Sequence, residues 1–188
     1  MRKIIFTTLV AFIAFINTNA QETKFGAKVG YNSFIAKATV SGSSASSSAS
    51  GVYAGFFADI TALEKFHIQP ELQIAIGFQD GETGEMLVVP IMGKYYVAEN
   101  FNLQAGPQFD YILEESEGVK KLGFGLAAGA GYGINDNFNI ELRYSFGLNN
   151  RFDDDVFVFA EDPIDPVFSG LDIKTKFNFF QIGIEYKF

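Results

Sequence analysis

The sequence contains no cysteine, no tryptophan and one histidine in 188 residues, and each shortage closes off a class of explanation. Without cysteine there is no disulfide framework, no thiolate metal site and no lipid-modified cysteine anchor. With His67 as the sole imidazole, histidine-based catalysis has one candidate base. Basic residues are also scarce: 14 Lys and Arg stand against 22 Asp and Glu, a formal charge of -8. A nucleic-acid partner would require a basic footprint, so none is expected. Finally, no apolar run approaches the ~20 residues that a spanning helix needs; the longest lies at 4–16, near the start of the chain.

That start reads as an export signal. Arg2 and Lys3 are basic, "IIFTTLVAFIAFI" is apolar, and "NTNA" ends on a small residue before Gln21. Residues 1–20 are expected to be a signal peptide cleaved after Ala20, leaving one domain over 21–188. Removing Arg2 and Lys3 with the signal takes the formal charge to -10.

A 48% hydrophobic share with 19% charged residues is too apolar for a disordered chain. Aromatics reach 16%, as 22 Phe and 8 Tyr, and there are 19 Gly, a composition suited to sheets and tight turns. From Thr23 onward, apolar residues recur at every second position in eight stretches, near 24–34, 51–61, 67–79, 86–97, 101–113, 121–134, 138–150 and 176–188. In the seventh, Phe138, Ile140, Leu142, Tyr144, Phe146 and Leu148 share one face, and Asn139, Glu141, Arg143, Ser145, Gly147 and Asn149 the other. The sixth sets Leu122, Phe124 and Leu126 against an almost unbroken glycine row. Short polar connections follow the even strands and longer ones the odd strands, including a Ser-rich run at 41–51, read as flexible, and an acidic segment at 151–172.

These features predict an all-β fold, an eight-stranded antiparallel up-and-down transmembrane β-barrel with its apolar phase toward lipid. The competing arrangement is a lipocalin-type barrel with that phase turned inward around a ligand. Strand lengths of ~11–13 residues, close to the ~9–11 that cross a bilayer at a tilt, favour the membrane arrangement. So do an outward phase almost without charge, and Tyr and Phe near both strand ends.

Two stretches carry a family resemblance. "VVPIMGKYYV" offers Val89, Pro90, Ile91, Lys94, Tyr95 and Tyr96; "ELRYSFGLNN" offers Arg143, Tyr144, Gly147 and Leu148. With the signal and the terminal Phe, the chain resembles the small outer-membrane beta-barrel domain family of Gram-negative bacteria often labelled PorT-like. The resemblance implies an outer-membrane barrel; members differ in function, and some resemble type IX secretion factors.

With the N-terminus in the periplasm, the inward phase gathers Lys28, Asp59, Glu71, Lys94, Glu141, Arg143 and Glu185 toward the periplasmic half. Unpaired charge in a narrow lumen is costly, so these residues are expected to pair as a polar plug. A narrow solute pore is the alternative. His67 opens an outward-running strand and so lies at the periplasmic rim, away from the outer leaflet where lipid-modifying barrels keep their nucleophile and base. No catalytic pair, metal site or cofactor site is expected. Asp153, Asp154, Asp155, Glu161, Asp162 and Asp165 match no calcium-loop spacing and read as a solvated loop. Ile184, Tyr186 and Phe188 resemble the C-terminal signal recognised by the barrel-assembly machinery. The expected partners are that machinery, outer-membrane lipid and lipopolysaccharide; the barrel itself is expected to be a monomer.

Overall fold

The structure, a computed structural model, describes residues 22–40, 43–79, 81–114, 119–151 and 173–188. Eight strands form in chain order: β1 Thr23–Val40, β2 Ser43–Leu63, β3 Phe66–Gln79, β4 Glu82–Ala98, β5 Phe101–Ile112, β6 Leu122–Gly133, β7 Phe138–Gly147 and β8 Ile173–Lys187. Each pairs antiparallel with its neighbours in sequence, and β1 pairs with β8 from Gly26↔Lys187 to Val40↔Ile173. The sheet therefore closes on itself, and the closed part of the ring carries no lateral edge; only the β1–β2 hairpin runs on past the β2–β3 ladder, which begins at Ser50↔Phe78. The Phe188 N–H extends the closing ladder by donating to the Phe25 carbonyl at 2.9 Å.

Burial is inside-out relative to a water-soluble protein. Along β7, Phe138, Ile140, Leu142 and Phe146 are exposed while Glu141, Arg143 and Ser145 are buried. Along β8, Ile182, Ile184 and Tyr186 are exposed while Gln181, Glu185 and Lys187 are buried. A soluble protein rarely leaves a continuous apolar band of this kind around its waist. The apolar phase thus faces outward, and the lipocalin-type arrangement is excluded.

One end of the barrel, the termini end, carries the start of β1, the end of β8 and the connections at 64–65, 99–100 and 134–137; the other carries the connections at 41–42 and 80–81 and the two longest, at 113–121 and 148–172. Two expectations about the second end need correction. The Ser-rich run is mostly strand: Ser43–Ser50 lies in β2, in continuous register with β1 as far as Ser43↔Val40. Small residues on both faces blur the two-residue period, so the β1 ladder decides the conformation, not the local sequence. The expected loop around 80–85 shrinks to a tight turn, with Gly81 at φ 87, a left-handed conformation that glycine adopts without strain. The signal-peptide residues and the acidic residues Asp153, Asp154, Asp155, Glu161, Asp162 and Asp165 lie outside the described residues.

The glycine row of β6 sets how close the lumen contents come to the wall. A side chain at Gly129 would run into the backbone carbonyl of Leu142 on β7, and one at Gly123 into Arg151 and Asp110. Glycine there lets two strands approach and leaves volume for a charged pair inside a narrow barrel.

Candidate functional site

The lumen is filled from the termini end upward by charged and amide side chains, placed by strands whose inward phase supplies a polar residue at each step. Lys28 of β1 lies 2.9 Å from Glu71 and 3.2 Å from Glu185, and also pairs with Glu141. Arg143 holds Glu71 with two nitrogens, at 3.0 and 2.8 Å, and reaches Glu141 at 2.9 Å. This fork-on-carboxylate geometry gives the stronger class of charge-assisted hydrogen bond. Lys94 closes the group on Glu185 at 3.0 Å. Three cations thus meet three carboxylates, and all six residues are at most 3% exposed. Remaining valences go to neutral groups: Tyr53 donates to Glu141 at 3.0 Å, Gln69 to Glu185 at 2.7 Å and to Glu71 at 3.0 Å, and Gln73 to Glu71. Gln104 accepts from Arg143 at 3.1 Å, and Gln181 donates to Gln73 at 3.0 Å.

Of the seven lumen residues expected from sequence, Lys28, Glu71, Lys94, Glu141, Arg143 and Glu185 form this one network. Asp59 does not join it. It stands nearer the termini end, where Lys187 lies 2.6 Å from one carboxylate oxygen and the His67 ring nitrogen 2.7 Å from the other. The surplus anion inferred from sequence is therefore matched by Lys187. Sequence reasoning also missed a third pair, Arg151 with Asp110 at 2.7 Å, toward the opposite end. Arg151 is 1% exposed, and its guanidinium lies 4.8 Å from the centre of the Phe177 ring. Asp110 was visible as an inward residue of the fifth strand, but Arg151 follows the last regular position of β7, and periodicity gave no reason to place it inside.

Three carboxylates, Glu71, Glu141 and Glu185, approach closely enough to suggest a cation site. Their oxygens are already held by Lys28, Lys94 and Arg143, so the donor set is spent on ammonium and guanidinium groups. His67 is half-buried, with its ring 4.7 Å from that of Tyr96. The cavity of about 620 Å³ beside it is lined, among the described residues, by acids, amides, Lys65, Tyr96, Lys187 and a few small or apolar residues, with no serine, threonine or cysteine among them. The expected C-terminal signal residues lie on the outer wall: Ile184, Tyr186 and Phe188 are exposed, and the Tyr186 ring packs 4.8 Å from Phe138 and 5.8 Å from Phe188.

A closed eight-stranded barrel with an apolar girdle and a polar, charge-matched interior is an integral β-barrel of the outer-membrane type. Comparison with known proteins agrees: residues 83–153 match the family model described as outer membrane protein beta-barrel domain. No curated protein matches the chain by sequence. Among solved structures, the attachment invasion locus protein Ail of Yersinia pestis is similar at 14% identity and a TM-score of 0.50, over 89% of this chain and 99% of that one. Neisserial surface protein A aligns at 13% identity and a TM-score of 0.47, over 90% of this chain and 100% of that one. OprG of Pseudomonas aeruginosa aligns at 13% and 0.47, over 90% and 98%. The chain has the fold of an outer-membrane β-barrel protein; in such barrels the short turns lie on the periplasmic side and the longer connections face outward.

Proposed function

We propose that this protein is a non-enzymatic outer-membrane barrel whose lumen is sealed, and that it serves the cell envelope through its outward-facing elements. The observation that carries this reading is the neutral three-on-three network that joins β1, β3, β4, β7 and β8 across the lumen. Ions would have to break several desolvated pairs to pass, and the barrier to that is high. The surface role is supported by β2, whose Ser43–Ala49 segment pairs only with β1 among the described residues, because its ladder with β3 begins at Ser50↔Phe78. An unpaired edge of this kind offers main-chain groups to an extended partner.

Purified full-length protein, refolded into planar bilayers, is expected to show no steady conductance. A stable large conductance in every insertion would overturn the sealed-lumen reading and favour a narrow pore. The outer-membrane address is further expected to depend on the C-terminus. Deleting Phe188 removes the residue whose N–H closes the ladder onto Phe25 and whose ring packs on Tyr186. Outer-membrane levels of the deletion variant are expected to fall several-fold in cells; unchanged levels, read by heat-shifted mobility in membrane fractions, would refute a role in recognition by the assembly machinery.

A further inference from the structure

The lumen does not stay polar along its whole length. Toward the outer side of the network the inward phase turns apolar: Tyr53, Ala75, Val88 and Phe179 form a layer no more than 3% exposed, joined by Met86. Phe34 meets Phe179 edge to face, with ring centres 5.5 Å apart. Tyr53 belongs to both levels, with its ring in this layer and its hydroxyl on Glu141. Beyond the layer, at the outward end, opens a cup of about 510 Å³ lined by Phe34, Met86, Ile112 and Phe177 among others. Its volume lies within the range of ~300–1,000 Å³ usual for small-molecule sites. Because the apolar layer and the ion-pair network close it from below, the cup is a dead end and suits binding, not passage.

Among the described residues, the charges that line the cup are of one sign. Glu82, Glu85 and Glu114 are its ionisable lining residues, and all three are exposed. The lysines of β1 and β8 at this height, Lys37 and Lys176, alternate away from the lining residues Ala36 and Phe177 and stand opposite each other across the β1–β8 ladder. Arg151 lies against Phe177, but its charge is matched by Asp110. The Phe177 ring thus already carries one cation, and the open positions for a second positive charge are the carboxylates at the mouth.

We propose that the outward cup is a binding site for an amphipathic organic cation, a molecule with a compact apolar body and an ammonium group. The body would rest on Phe34, Met86, Ile112 and Phe177, and the ammonium would stand between the carboxylates of Glu82 and Glu114. An anion of the same shape would meet those carboxylates and bind poorly. A neutral one would lose the electrostatic part of the affinity.

The test uses the full-length barrel in phospholipid nanodiscs, titrated calorimetrically with benzyltrimethylammonium, a water-soluble aromatic cation, against benzoate and benzyl alcohol as the anion and the neutral control. Saturable binding of the cation is expected, with benzoate giving none. The E82Q/E114Q double variant should weaken cation binding about tenfold or more, since it removes the countercharge at the mouth. Ala49→Phe, which narrows the cup without touching the ion-pair network, should weaken it as well. Heat-shifted gel mobility reports that each variant is folded. The proposal falls if benzoate binds as well as the cation, if E82Q/E114Q binds unchanged, or if empty nanodiscs account for the signal.

Discussion

Replacing Lys28 with methionine should destabilise the barrel by about 3–5 kcal/mol, the usual consequence of removing one partner from a buried ion-pair network. The effect is expected as a lower urea midpoint for protein folded in lipid vesicles, and as a lower temperature at which the compact gel band disappears. Among the described residues, Lys28 is the one cation in contact with all three buried glutamates, Glu71, Glu141 and Glu185. Without it, Arg143 and Lys94 face three carboxylates and one negative charge is left uncompensated in the lumen. The K28M/E141Q double variant restores neutrality and is therefore expected to recover a large part of the loss, a non-additivity that neutral packing changes would not show. Lys24 is the internal control. Its pair with Glu22, at 3.2 Å, is solvent-exposed on both sides, so Lys24→Met should change stability by less than ~1 kcal/mol. If K28M and K24M behaved alike, the network would not be the dry, balanced object that its burial implies.

The composition of this network was legible in the sequence, and its pairing was not. A two-residue period assigns a side chain to the lumen or the wall without knowledge of any neighbour; it puts Lys28, Glu71, Lys94, Glu141, Arg143 and Glu185 on the inward phase, and in the structure these six are buried. Which charge meets which depends on strand stagger and barrel closure. Glu71 and Arg143 are 72 residues apart and on strands that do not pair, so only the closed ring brings them together. The same reason separates Asp59 from the other six: antiparallel pairing sets it one level nearer the termini end of the barrel, against Lys187 of β8. Tyr53 and the amides of Gln69, Gln73, Gln104 and Gln181 share the inward phase too, but nothing local distinguishes a side chain that completes a network from one that merely faces it. The β1–β2 hairpin shows the reverse failure. Its Ser and Ala residues carry almost no periodic signal, and its strand conformation is imposed by the partner ladder.

The second large effect tests the wall. An arginine in place of Leu142 should cost about 2–4 kcal/mol, the penalty for a cation near the middle of the lipid-facing band. Leu142 sits at the centre of the exposed β7 row, between Phe138 and Phe146, and is 48% exposed to whatever surrounds the barrel. The same substitution at Leu63, at the margin of the apolar band beside the turn at 64–65, should cost only about 0–1 kcal/mol, because the side chain reaches the interface. Folding titrations of the two variants in vesicles measure the difference directly. Equal, small costs would mean that Leu142 does not face hydrocarbon. The comparison is sharper because of its neighbour. An arginine at 143 makes three hydrogen bonds to buried glutamates, whereas an arginine one residue earlier has none of them and lipid on every side. The register of β7 against β6 and β8 decides which outcome the side chain meets, so a slip of one residue would place both Glu141 and Arg143 in hydrocarbon. The lumen charges thereby penalise misregistered strands, and any variant that neutralises them should relax register specificity as well as lower stability.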